Sequence, residues 1–147
     1  MNRKTTLAFS SVLLAAALLA GMPHLALASS PGDSTHGHGT FTTGGSAVTV
    51  FVFDAKHKGN GTITGRARFF ETGGLDLDID VDCLTISGNT AIIGGTDASS
   101  TSYAFKVTDN GGGATADRIT LPQVGQTCST FNTLGNFALA GGDVEVD

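Results

Sequence analysis

The sequence contains no tryptophan and a single tyrosine, Tyr103. Because sugar-stacking surfaces are built from such side chains, their scarcity argues against carbohydrate binding by stacking. Positive charge is also scarce, with eight lysines and arginines against 13 carboxylates. A net negative chain with scattered cations has no electrostatic footprint for nucleic acid, and anionic lipid would repel it. Cations, cationic groups and neutral ligands are the partners that this charge permits.

The chain also lacks the local motifs of common catalytic sites. It contains no Gly-x-Ser-x-Gly sequence, no cysteine in the context of a protease nucleophile and no glycine-rich loop that opens a helix. Beyond residue 28 the histidines are confined to His36, His38 and His57. We therefore expect a non-enzymatic domain. A carboxylate-based hydrolase stays open as the less favoured alternative, because carboxylates are plentiful.

The N-terminus has the three-part pattern of a secretory signal peptide over residues 1–28. Arg3-Lys4 forms the positive region, residues 7–20 are apolar and uncharged, and Ala26-Leu27-Ala28 matches the cleavage pattern. The apolar run is shorter than the ~20 residues that span a bilayer, and no cysteine follows it to carry a lipid, so we expect no stable membrane anchor. The pattern predicts cleavage before Ser29 and export to the periplasm or the medium.

The sequence has only two cysteines, Cys83 and Cys128. In an exported protein such a pair is expected to form a disulfide. A bridge closing this loop would stabilise the fold by about 4 kcal/mol in the chain-entropy model, less any strain. Two buried thiols in a compartment that does not oxidise them are the alternative.

The mature chain begins with a segment that differs from the rest. Residues 29–39 are small and polar without an apolar period, which predicts a flexible leader. From residue 40 to 147, short β-type runs alternate with glycine turns, and no segment has an apolar stripe at helical spacing. The predicted strands are 47–55, 62–71, 75–86, 90–96, 103–109, 118–121 and 143–147.

Short connections between these strands indicate antiparallel neighbours. About eight such strands must hide their edges by closing into a barrel or by pairing as two sheets. We predict a single all-β domain over residues 40–147, an antiparallel meander that closes as a small β-barrel. A two-sheet β-sandwich is the alternative.

The strand at 47–55 is apolar on both faces, which is typical of a strand covered on both sides. Val48, Val50 and Val52 lie on one face, and Phe51 and Phe53 lie on the other. A closed eight-stranded barrel can also hold a small apolar ligand, if aromatic side chains do not fill its interior. The phenylalanines that decide this are Phe51, Phe53, Phe69 and Phe105.

Residues 75–83 alternate apolar side chains with four aspartates, Asp76, Asp78, Asp80 and Asp82. Strand period places all four on one face, where a row of carboxylates is a candidate Ca²⁺ surface. A hairpin loop at 72–74 would set Arg68 opposite Asp78 and Arg66 opposite Asp80. Because successive carboxylates lie about 6.6–7 Å apart along the strand, we favour a solvated face neutralised by arginine.

Two further groups are candidate metal ligands. Asp109, Asn110 and Asp117 flank a run of glycines and form a candidate weak Ca²⁺ site, and we expect no cofactor apart from this candidate ion. Their spacing does not match an EF-hand, and an Asx-type turn is the favoured alternative. His36 and His38 are a candidate pair for Zn²⁺ or Cu²⁺, with Asp33 as the close carboxylate. Two ligands on a mobile segment bind weakly, so we favour a solvated polar leader.

Six short runs occur in order along the chain: His38-Gly39-Thr40-Phe41, Phe53-Asp54-Ala55-Lys56, Cys83-Leu84-Thr85-Ile86-Ser87-Gly88-Asn89-Thr90-Ala91, Val107-Thr108-Asp109-Asn110-Gly111, Asp117-Arg118-Ile119 and Gly142-Asp143-Val144-Glu145-Val146. Together they resemble the post-COAP domains, a family of small exported bacterial β domains. The resemblance spans about residues 38–146 and implies a small exported β fold, with no established activity to carry over. The chain departs from the family in the Asp76–Asp82 row and at Ala114-Thr115-Ala116. We expect a binding or surface-interaction module whose partner is a protein or a small ligand.

Overall fold

The computed structural model describes residues 30–44, 46–132 and 135–147, which form nine antiparallel strands. The predicted signal peptide, residues 1–28, lies outside the described residues. The strands are β1 (Ser34–Thr42), β2 (Val48–His57), β3 (Ile63–Glu71), β4 (Asp76–Ser87), β5 (Thr90–Thr96), β6 (Ser102–Thr108), β7 (Arg118–Ile119), β8 (Gln123–Val124) and β9 (Phe137–Val146).

Eight of the strands close into a barrel. Strands β1 to β6 pair in sequence, and β7 and β9 then connect β6 back to β1. Strand β8 pairs with the same edge of β6 as β7 but not with β9, so it lies outside the closed ring. The predicted all-β meander barrel is confirmed, and the sandwich alternative is excluded because the sheet closes on itself. Closure removes the open edges that would otherwise pair with other chains.

The barrel interior is filled by aromatic side chains. Phe51, Phe53, Phe69 and Phe105 are each at most 2% exposed. Their rings contact one another with centroid separations of 5.0 to 6.4 Å, in stacked and edge-to-face arrangements. The space that a small apolar ligand would occupy in such a barrel is therefore taken up by these rings.

The predicted flexible leader, residues 29–39, was wrong for most of the residues that the structure describes there. Ser34–Thr42 form β1, which pairs with β2 along one edge and with β9 along the other. Gly37 points inward, and a Cβ at this position would lie 2.7 Å from the Phe53 ring. A Cβ at Gly39 would collide with the carbonyl oxygen of Gly141. Because Gly37 and Gly39 have no side chains, the sequence of β1 lacks the alternation of apolar and polar residues that predicts a strand.

Two other predicted strands differ in their bounds. The prediction for 118–121 covers β7, which ends at Ile119, whereas β8 at Gln123–Val124 was not predicted. Pro122 between them has no backbone N–H for pairing. The prediction for 143–147 covers only the second half of β9, which begins at Phe137. The register of β9 shifts at Ala140, opposite the step from Thr40 to Phe41. Gly142 has a φ of +102°, a conformation that favours glycine, and a sequence pattern reveals neither feature as strand.

Cys83 and Cys128 form the predicted disulfide, with their Cα atoms 6.0 Å apart. A bulge at Asp82 reverses the alternation of β4, so that Val81 and Leu84 both point inward and Cys83 points outward. The bridge therefore fastens the segment after β8 to the outside of the barrel. A disulfide of this kind indicates an oxidising environment.

Candidate functional site

The outer face of β1–β4 and β9 carries the polar side chains that the barrel leaves exposed, and the strand register arranges them in rows. The first row contains Glu145, His36, Asp54, Arg66 and Asp80. The second row contains Asp143, His38, Val52, Arg68 and Asp78. The third row contains Gly141, Thr40, Val50, Phe70 and Asp76.

The predicted pairing of arginines with the aspartate row is confirmed. Arg66 lies opposite Asp80 and Arg68 opposite Asp78, the register that a hairpin loop at 72–74 requires. Arg66 Nε lies 3.2 Å from Asp80, and Arg68 contacts Asp76 at 3.2 Å and Asp78 at 3.8 Å. Arg66, Arg68, Asp78 and Asp80 border an open concavity of about 370 Å³, and its two positive charges are matched by its two carboxylates.

An apolar stripe interrupts this charged surface. Val48, Val50 and Val52 are 47% to 54% exposed on successive outward positions of β2, and Phe70 is 43% exposed directly across from Val50. We call these four side chains the apolar stripe. The expectation that this strand is covered on both faces was wrong for the described residues. Among the residues that the structure describes, only the inward face of β2, with Phe51, is buried.

A group of histidines and carboxylates lies where β1 meets β9. His36 Nε2 is 3.3 Å from a carboxylate oxygen of Glu145, and the side chain of Asp147 is the third member. The ligand atoms of His36, Glu145 and Asp147 all lie within 4.8 Å of one another. His38 and Asp143 form the adjacent row, and a concavity of about 50 Å³ lies between the rows. Sequence reasoning identified the histidines but missed these carboxylates, because barrel closure joins distant segments.

The candidate calcium residues meet in one loop, and hydrogen bonds engage their oxygens. Asp117 is 1% exposed, and its two carboxylate oxygens accept the backbone N–H groups of Asn110 at 3.0 Å and Val144 at 3.2 Å. Asp109 Oδ1 accepts the N–H of Gly111 at 2.8 Å, which is the Asx turn given as the alternative.

Asn110 completes the network of this loop. Its side-chain N–H donates to the carbonyl of Ala116 at 2.7 Å, and its Oδ1 lies 3.2 Å from Nδ2 of Asn89. The three candidate ligands therefore act as internal braces of the loop. Calcium binding at Asp109, Asn110 and Asp117, the less favoured of the two interpretations of this loop, stays an untested prediction.

No protein-family model, curated protein or solved structure matches the chain significantly. The resemblance to the post-COAP domains therefore stays a prediction. Within residues 30–44, 46–132 and 135–147, no helix is long and apolar enough to cross a membrane.

Proposed function

We propose that this protein is an exported, non-enzymatic surface-interaction module that binds through the outer face of β2 and β3. The observation that carries the proposal is the apolar stripe, which lies on the same outer face as the charged rows. Apolar side chains clustered on a charged face mark an interaction surface better than scattered ones do. Burial of the stripe against a partner would recover about 25 cal/mol for each Å² of apolar surface removed from water.

The occupant that we assign to the stripe is a second copy of this chain. The stripe is symmetric about Val50, because Val48 and Val52 lie two residues to either side and Phe70 lies directly opposite Val50. A two-fold axis through the Val50–Phe70 row would bring Val48 of one copy to Val52 of the other. It would also bring the two Phe70 rings together. Homodimers are built on such self-complementary patches.

The charge nearest the stripe is Asp76, which follows Phe70 in the same row and would face Asp76 of the other copy. Its contact with Arg68 at 3.2 Å reduces that repulsion. Arg68, next to Val52, is already neutralised by Asp76 and Asp78. The same two-fold axis would bring the row of His38 towards that of Thr42, which carries no charge. The four side chains alone supply less than the ~800 Å² per partner of a standard interface, so we expect a weak dimer that forms as concentration rises.

Sedimentation velocity of the purified protein from micromolar to millimolar concentration tests this proposal. We expect a shift from monomer to dimer in the wild type and a monomer at every concentration for Val50→Glu. Val50 points outward, so the substitution leaves the barrel interior unchanged. The matched control is Val124→Glu, which replaces an exposed valine of β8 outside the stripe and should dimerise like the wild type.

Three outcomes would contradict the second copy as occupant. The first is a wild type that stays monomeric at millimolar concentration, and the second is an equal loss of dimer in Val124→Glu. The third is a monomer that binds neutral lipid vesicles through Val50, which would assign the stripe to lipid.

Export rests on the pattern of residues 1–28 and on the Cys83–Cys128 bridge. The intact mass of the protein recovered from outside the cytoplasm tests it, and we expect the chain to start at Ser29. A mass that retains residues 1–28 would contradict cleavage.

The two other functions considered from the sequence have less support. A carrier of a small apolar ligand needs an open interior, and the rings of Phe51, Phe53, Phe69 and Phe105 occupy it. A carboxylate-based hydrolase needs two aspartates free to act together, whereas Asp78 and Asp80 each face an arginine.

A further inference from the structure

We propose that β1 and β9 form a zinc site on the outer face of the barrel. The protein ligands are His36, Glu145 and Asp147, and water completes the coordination shell. This site lies apart from the apolar stripe and does not depend on self-association.

The strand register brings the three ligands together. His36 of β1 lies directly opposite Glu145 of β9, and both side chains point outward. Asp147 follows Glu145 by two residues and therefore lies on the same face. Its backbone exchanges two hydrogen bonds with Ser34, at 2.9 and 3.2 Å, which extend the ladder past the end of β9. All three ligands are thus held by paired backbone, which limits the ordering needed to bind an ion.

The distances fit a tetrahedral ion. Zinc binds imidazole nitrogen and carboxylate oxygen at about 2.0–2.2 Å, so two ligand atoms of a tetrahedral site lie about 3.4 Å apart. His36 Nε2 and Glu145 Oε2 are 3.3 Å apart. Asp147 provides an oxygen within 4.8 Å of the other two ligand atoms. To enter the shell, this exposed carboxylate would rotate and exchange its 3.5 Å contact with Ser34 Oγ for the ion.

The donor set selects the class of ion. A nitrogen donor with two carboxylates suits Zn²⁺, whereas Ca²⁺ takes a larger shell made of oxygen. The surroundings are also negative, because Asp54 flanks His36 on β2 and Asp143 lies in the next row.

Titration of the purified, tag-free protein with ZnCl₂ by isothermal calorimetry tests this site. We expect one equivalent of Zn²⁺ to bind, and an excess of CaCl₂ should not displace it. His36→Ala and Glu145→Gln should each weaken binding at least tenfold, since even the loss of an outer-shell partner costs 10–100-fold. Both side chains are exposed, so the variants should melt near the wild-type temperature.

The matched control is Asp78→Asn, which removes an exposed carboxylate from the row paired with arginine. It should bind Zn²⁺ as the wild type does. The proposal is overturned if millimolar Zn²⁺ gives no binding, if binding persists unchanged in both His36→Ala and Glu145→Gln, or if Asp78→Asn loses as much affinity as they do. The last result would indicate attraction to the general negative charge alone.

Discussion

The side chain of Asp117 takes the place of a strand carbonyl opposite Val144. Its carboxylate accepts the backbone N–H of Val144 at 3.2 Å, in a part of β9 that β7 is too short to reach. The backbone carbonyl of Asp117 also accepts the N–H of Leu139 at 3.2 Å. A buried N–H without a partner is costly. Asp117 therefore supplies acceptors where the two-residue pairing of β7 with β9 ends.

Loss of this carboxylate should destabilise the fold. In Asp117→Asn an amide –NH₂ replaces one oxygen, so either Asn110 or Val144 loses its acceptor. A buried donor left unsatisfied costs about 1–3 kcal/mol. We expect urea denaturation to show a loss in this range. Asp109→Asn is the control, because its amide oxygen can still accept the N–H of Gly111. An equal loss in both variants would contradict the bracing role.

Calcium should leave the melting temperature unchanged. A site of extracellular-module affinity, about 10⁻⁴–10⁻³ M, would add about 1.4–2.7 kcal/mol of stability at about 10 mM Ca²⁺. Both carboxylate oxygens of Asp117 and one of Asp109 are instead engaged by backbone N–H groups. Differential scanning fluorimetry with and without Ca²⁺ measures this. A rise in melting temperature that Asp117→Asn abolishes would establish the calcium site and contradict our expectation.

The pairs between arginine and aspartate should contribute little to stability. Arg66 and Asp80 have side chains 81% and 77% exposed, and exposed ion pairs are typically worth less than about 1 kcal/mol. Asp80→Asn should therefore change the free energy of unfolding by less than that amount in chemical denaturation. A loss as large as that of Asp117→Asn would show that the row has a structural role beyond a solvated face.

Removal of the disulfide should have a larger effect. The bridge joins positions 45 residues apart, which corresponds to about 4 kcal/mol in the chain-entropy model. The double variant Cys83→Ser, Cys128→Ser should lose up to this amount in urea denaturation, and wild type treated with a reductant should show the same loss. Two free thiols in the denatured, unreduced wild type would contradict the bridge.

Strands could be predicted from the sequence where apolar and polar side chains alternate along the chain. The hairpin of β3 and β4 could be predicted down to the register of Arg66 with Asp80, because alternation and a short glycine loop fix it. Strand β1 could not, because glycine occupies inward positions where an apolar side chain would reveal the strand. The proximity of His36 and Glu145 could not be predicted either, because only the pairing of β1 with β9 brings them together.

Substitution of Gly37 tests whether this segment is a strand of the barrel wall. A Cβ at Gly37 would lie 2.7 Å from a ring carbon of Phe53. Gly37→Val should therefore cost about 1–3 kcal/mol through overpacking of the interior. His38→Val introduces the same side chain at the next position, which points outward, and should stay within about 0.5 kcal/mol of the wild type. A flexible leader would tolerate both substitutions equally, so equal stability of the two variants in urea denaturation would contradict the pairing of β1.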